Sequence, residues 1–155
     1  MVQFLMLSRF LMISDNLKQV KSRIGSVQSS HQVELIAVSK TRSTAEIQEA
    51  VDAGQIHFGE NYLQESIEKI NYFKGRGLVW HFIGPIQSNK TSPIANNFDW
   101  VHSVDRVKIA KRLSEQRNPS LGVLKILIQV NVDREESKSG VDIVNVEEIV
   151  SEIEN

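Results

Sequence analysis

The sequence predicts an α/β protein built on a parallel sheet. Short apolar runs rich in β-branched residues recur along the chain, and each is followed by a segment whose apolar residues return every three or four positions. The connections are short, and strand-helix alternation at this spacing gives parallel strands joined by right-handed crossovers. The runs also end in polar or small residues. In α/β proteins that carboxyl edge of the sheet is where the chemistry sits.

At 155 residues the chain suits one ordinary domain with a real core. Apolar residues make up 41% and charged residues 24%, the composition of a soluble globular protein. A formal net charge of −1 supplies no attraction to nucleic acid or to an anionic membrane. The lack of cysteine excludes disulfides, thiolate metal sites and cysteine nucleophiles, and it fits a reducing cytoplasm. Residues 1–13 (MVQFLMLSRFLMI) are strongly apolar but too short to span a bilayer, and their single cation, Arg9, lies inside the run. They read as an extension translated upstream of the real start, with Met12 opening the first helix and residues 14–155 forming the domain.

The elements follow in order. Residues 14–29 place Leu17, Val20, Ile24 and Val27 on one helical face. Residues 34–40 (ELIAVSK) form the first strand. Ser43 and Glu46 make a capping-box pair for a helix that buries Ile47, Ala50 and Val51, with Gly54 at its end. A second strand over 56–60 leads to a helix with Leu63, Ile67 and Ile70 on one face, ending near Gly75. The third strand, 78–83, stops at Gly84-Pro85. A shorter helix interrupted by Pro93 leads to the fourth strand, 100–104. Asp105 caps the next helix, which buries Ile109, Ala110 and Leu113 and ends before Pro119. The fifth strand, 125–130, is the most apolar. A polar loop over 131–140 precedes a last helix with Val146, Ile149, Val150 and Ile153 inside.

Two architectures fit this pattern. One is an open five-stranded doubly wound sheet. The other is the first five units of a (β/α)8 barrel, which usually needs about 250 residues.

The strand ends present Lys40, Asn61, the segment from His81 to Gln87, Ser103 with Asp105, and Asn131. A lysine beside apolar strands loses hydration, so its amine is more readily neutral and able to attack an aldehyde. A solvated lysine at a strand end is the plainer alternative. Asn61 can bond a ligand ring or cap the helix that follows it. His57, His81 and His102 lie on successive strands, as metal ligands in barrel hydrolases do, but no local pair of ligands supports a metal and His57 sits at the wrong end of its strand. No glycine-rich phosphate loop, nucleophile elbow or paired-carboxylate signature appears.

Four blocks carry a resemblance: LIAVSKT at 35–41, FGENY at 58–62 with Gln64-Glu65, WHFIGPIQSNK at 80–90, and IQVNVDREESKSG at 128–140. In order and spacing they are similar to the pyridoxal-phosphate homeostasis protein family, over nearly everything from Met12 to Asn155. The resemblance implies a single barrel that binds pyridoxal 5'-phosphate (PLP), like the barrel of alanine racemase. It implies that Lys40 forms the Schiff base with PLP, that Asn61 lines the cofactor ring, and that His81 stands near the cofactor on the third strand. Lys138, in the Ser-Lys-Ser-Gly loop, matches a position near the barrel mouth.

The resemblance also implies three more strands, which supply the phosphate cup and an arginine facing the pyridine nitrogen. Five of eight strands make an incomplete barrel with open edges that self-associate. The implied role is holding and delivering PLP rather than catalytic turnover, in a cytoplasmic protein that is monomeric when whole. The competing expectation is a PLP-dependent amino-acid racemase.

Overall fold

The computed structural model describes residues 12–27, 33–135 and 137–154. The extension up to residue 11 and the predicted helix end at residues 28–29 lie outside them. The elements are α1 (Met12–Gly25), β1 (Ala37–Val38), α2 (Thr44–Asp52), β2 (His57–Glu60), α3 (Leu63–Tyr72), β3 (Val79–Phe82), α4 (Thr91–Asn97), β4 (Trp100–Val104), α5 (Val107–Gln116), β5 (Lys125–Ile128) and α6 (Val146–Glu154).

The five strands form one sheet in the order β1-β2-β3-β4-β5, with every neighbouring pair parallel. That order decides between the two architectures. A doubly wound sheet reverses direction and puts helices on both faces. A sheet that adds each strand to the same edge, with right-handed crossovers, keeps its helices on one side and is an arc of a barrel.

The core lies between sheet and helices. Phe58, Trp80, Phe82 and Val101 of the strands meet Ile47, Phe73, Ile94, Phe98, Ile109 and Leu113 from the helical layer, all buried. Each large apolar side chain buried here contributes about 1.5–3 kcal/mol from removal of its surface from water. Alternation along the strands turns the other set of residues to the helix-free face. There Val38 is 52% and Leu127 44% exposed.

Several sequence expectations change at the ends of elements. The first strand is limited to Ala37–Val38: the Gln55 side-chain amide takes the Leu35 carbonyl before it, and a turn closed by the Arg42 amide on the Ser39 carbonyl follows it. The fifth stops at Ile128, and Val130 pairs instead with Val141, so the loop between them folds back over the strand end. The exposed Val20 of α1, and Val27 beyond its end, depart from the expected stripe, while Ile13 and Leu17 pack against the core. Val150 of α6 is likewise exposed.

The capping box is as expected: Ser43 accepts from the Glu46 amide while the Glu46 carboxylate accepts from the Ser43 amide. Asp105 does not cap α5; Arg106 is the N-cap, and Asp105 forms an ion pair with it instead. Pro93 does not interrupt α4. It occupies the third helical position, where no amide is needed for an intrahelical bond.

Candidate functional site

The register places the predicted residues at defined heights. Val38 is paired with Gly59, and Gly59 with His81. Extending that register two residues past the paired positions sets Lys40, in the turn that the Arg42 amide closes on the Ser39 carbonyl, at about the level of Asn61, beside Ile83 and Gly84. His81 lies a full pleat deeper. Lys40 and Asn61 therefore share a rim, and His81 belongs to the floor beneath it.

Asn61 is not the cap of α3, because Tyr62 takes that position and makes no side-chain cap bond. Its side-chain oxygen Oδ1 is buried and has no hydrogen-bond partner. A buried orphan acceptor of this kind costs about 1–3 kcal/mol and calls for an explanation such as a ligand. Gly84 closes over the same residue: a Cβ there would fall 2.9 Å from Asn61 Cα and closer still to its carbonyl oxygen. Ser103 donates from its hydroxyl to the Gly84 carbonyl, which holds this turn from the next strand. At Gly59 a side chain would press into Ile36, Val38 and Ile83, so the floor below the rim is apolar.

Lys40 is exposed, and among the described residues no hydrogen bond or ion pair occupies its amine. The backbone around it is tightly held. Next to it Thr41 adopts a left-handed conformation (φ 63°), which is costly for a β-branched residue. The Thr41 amide donates to Glu65 Oε1 at 2.7 Å. On the other side, the Ser39 hydroxyl donates to Glu60 Oε1 at 2.6 Å, and the Ser39 carbonyl accepts from Lys69 Nζ at 2.7 Å. Lys69 also donates to Glu60 and Glu65, so its three donors are saturated. Glu60 is fully buried and Lys69 nearly so. The Lys69 bond, then the Thr41 amide, keep the Glu65 carboxyl below the usual carboxylate range against its desolvation.

His81 is buried with both ring nitrogens engaged. Its Nε2 lies 2.9 Å from His57 Nδ1, and its Nδ1 lies 2.9 Å from His102 Nε2. Its ring also stacks on Trp100, at 5.8 Å between centroids. Burial, reinforced by His102, His57 and Lys125, pushes its pKa down to about 4. Burial lowers His102 as well. The three imidazoles are thus bonded in a row across β2, β3 and β4 and do not converge on a point. Among the described residues no group of three histidine or acidic side chains is arranged to hold a metal ion. Lys138 pairs with Glu135 at 2.6 Å and lines a polar pocket with Ser103, Asn131 and Asp133, at the β3–β5 end of the edge.

Sequence reading missed the network beneath Lys40. The apolar stripe of α3 pointed to Leu63, Ile67 and Ile70, yet the buried positions of that helix are Ser66 and Lys69. Two signals were available. Glu65 and Lys69 are four apart on a helix, in the favourable order. Glu60 shares a strand face with Phe58, so a buried carboxylate needing a cation was readable from alternation.

Fold and site together define an arc of a β/α barrel whose first strand presents a lysine at its carboxyl edge. The chain belongs to the alanine racemase N-terminal domain family, whose pattern matches residues 12–155. It is 45% identical over 149 residues to the pyridoxal phosphate homeostasis protein of Escherichia coli K12, covering 91% of this chain and 64% of that relative. A protein of the same description from Pseudomonas aeruginosa is 53% identical over 133 residues, covering 83% of this chain and 58% of the relative. The chain thus spans about two-thirds or less of these curated relatives.

Among solved structures, PipY of Synechococcus elongatus with PLP bound superposes with a TM-score of 0.76 at 36% identity, covering 91% of this chain and 63% of PipY. Alanine racemase from Corynebacterium glutamicum, at 20% identity and a TM-score of 0.65, shares the fold.

Proposed function

We propose that the chain binds pyridoxal 5'-phosphate through Lys40 and serves PLP homeostasis as a carrier. The observation that carries this reading is the buried, unpartnered Oδ1 of Asn61, level with Lys40 on the adjacent strand end. An aromatic pyridine with polar substituents fits such a place: an orphan acceptor on one side, an amine on the other, and an apolar floor at Ile36, Val38 and Ile83. When bound, PLP supplies an aldehyde that condenses with an amine, forming a C=N bond and releasing its oxygen as water.

Lys40 is the amine, and Asn61 fixes the ring by its side-chain amide. His81 acts from below. With both nitrogens committed to His57 and His102, it shapes the floor and keeps it uncharged rather than bonding the cofactor directly. The relatives named for PLP homeostasis and the PLP-bound PipY support the assignment.

As a carrier the protein holds PLP without strong catalytic turnover, in the cytoplasm. Nucleic acid and membranes are not among its partners, and it is monomeric once the barrel is whole. Among the described residues no helix is long and apolar enough to cross a membrane.

Borohydride reduction of the chain with PLP, followed by peptide mapping, tests the reading. The expected result is attachment at Lys40 that Lys40→Ala abolishes. Unchanged stoichiometry in that variant overturns Lys40 as the anchor. Racemisation of amino acids at ordinary enzyme rates overturns the carrier role in favour of a racemase.

A further inference from the structure

The buried Glu60–Lys69 pair is expensive and stabilises little by itself, since apolar residues of the same volume generally serve a core as well. What apolar residues cannot do is bond backbone. Lys69 grips the Ser39 carbonyl, Glu60 grips the Ser39 hydroxyl, and Glu65, itself held by Lys69, grips the Thr41 amide. Every one of these bonds ends on a residue adjacent to Lys40, and none ends on Lys40 itself. The left-handed Thr41 is the conformation such bonds must hold in place, because a threonine relaxes out of it when released.

We propose that Glu60, Lys69 and Glu65 form a positioning device for Lys40, clamping both flanking residues so that the amine projects from the rim toward Asn61. The inference rests on the cofactor reading above. Alternation from Val38 through Ser39 puts Lys40 on the helix-free side, and the clamp keeps it there although β1 has a partner strand on one edge only. Lys69, with three bonds already made, does not compete for the aldehyde.

The test compares labelling within one molecule. The 155-residue chain is treated with PLP at millimolar concentration and borohydride across a range of pH, and initial rates of attachment are mapped at Lys40 and at the exposed Lys108. Two variants each release one side of the clamp: Glu65→Ala frees the Thr41 amide, and the neutral double variant Glu60→Gln/Lys69→Met frees the Ser39 carbonyl. In each, the Lys40 rate relative to Lys108 is expected to fall about tenfold. Glu65→Gln keeps an oxygen for the Thr41 amide and restores the ratio.

A preference for Lys40 retained in Glu65→Ala and in the double variant overturns this inference while leaving the cofactor reading intact. A wild-type chain with no preference for Lys40 overturns both. Should the double variant fail to fold, Glu65→Ala still decides, because Glu65 is partly exposed and its loss leaves the buried pair whole.

Discussion

Gly84 sits against the backbone of Asn61 so closely that a single added carbon would lie 2.9 Å from Asn61 Cα. The third strand is therefore stopped where the second turns into its helix, and the two ends define the rim together. Gly84→Ala forces either the Gly84 turn or Asn61 to move. Overpacking of this kind costs about 1–3 kcal/mol. Urea denaturation should show a loss in that range, accompanied by weaker PLP trapping. A variant as stable as wild type would mean the two backbones part without strain.

Asn61 makes the complementary case. Its Oδ1 bears the cost of burial without a hydrogen bond in return. Removing it with Asn61→Ala relieves that cost while deleting the rest of the amide, so stability should change by less than about 1 kcal/mol. Trapping of PLP at Lys40 should nevertheless drop. A large loss of stability would instead mark Asn61 as a structural residue.

Much of the fold was legible because its signals are local. The Ser43–Glu46 box, the stripe Ile109, Ala110 and Leu113, and the strand from Trp100 to Val104 were each carried by neighbouring residues. Strand order is not local, and only the pairing of β1 through β5 in sequence distinguished a barrel arc from a doubly wound sheet. The site divides in the same way. The places of Lys40 and Asn61 just past strand ends were readable from the sequence pattern. The bonds from Glu60 and Lys69 to Ser39 join residues 21 and 30 positions apart, and no periodicity in the sequence reports them.

The histidine row gives a pH dependence with a definite sign. His81 titrates at about 4 in the folded chain, while its unfolded value is about 6.5. Below about 6.5 the unfolded chain takes up the extra proton, so stability falls as pH drops through the window down to about 4 and is level above it. Between pH about 7.5 and about 5 the loss from His81 alone is about 2 kcal/mol, and the lowered His102 adds to it. The lowered Glu65 carboxyl stays ionised above pH 5 and does not obscure the effect. His81→Gln should flatten the profile. Equal denaturation midpoints for the wild-type chain at the two pH values would refute the depressed imidazole.

The open face of the sheet sets the affinity to expect of the 155 residues assayed by themselves. In the reading proposed above, Lys40 and Asn61 hold one end of the cofactor, and the family resemblance implies a phosphate cup built by further strands. Each charge-assisted bond of that cup is worth about 1.5–3 kcal/mol, so the loss of two or three removes several orders of magnitude in affinity. PLP titrated against the chain should bind no tighter than about millimolar, with attachment at Lys40 detectable only after reduction. Among the described residues β1 and β5 each have one neighbouring strand only, beside the exposed Val38 and Leu127. Sedimentation should then show association that grows with concentration, and Val38→Lys should weaken it by placing a charge on that face. Micromolar binding by a monomeric chain would mean that the rim and its floor suffice to hold the cofactor.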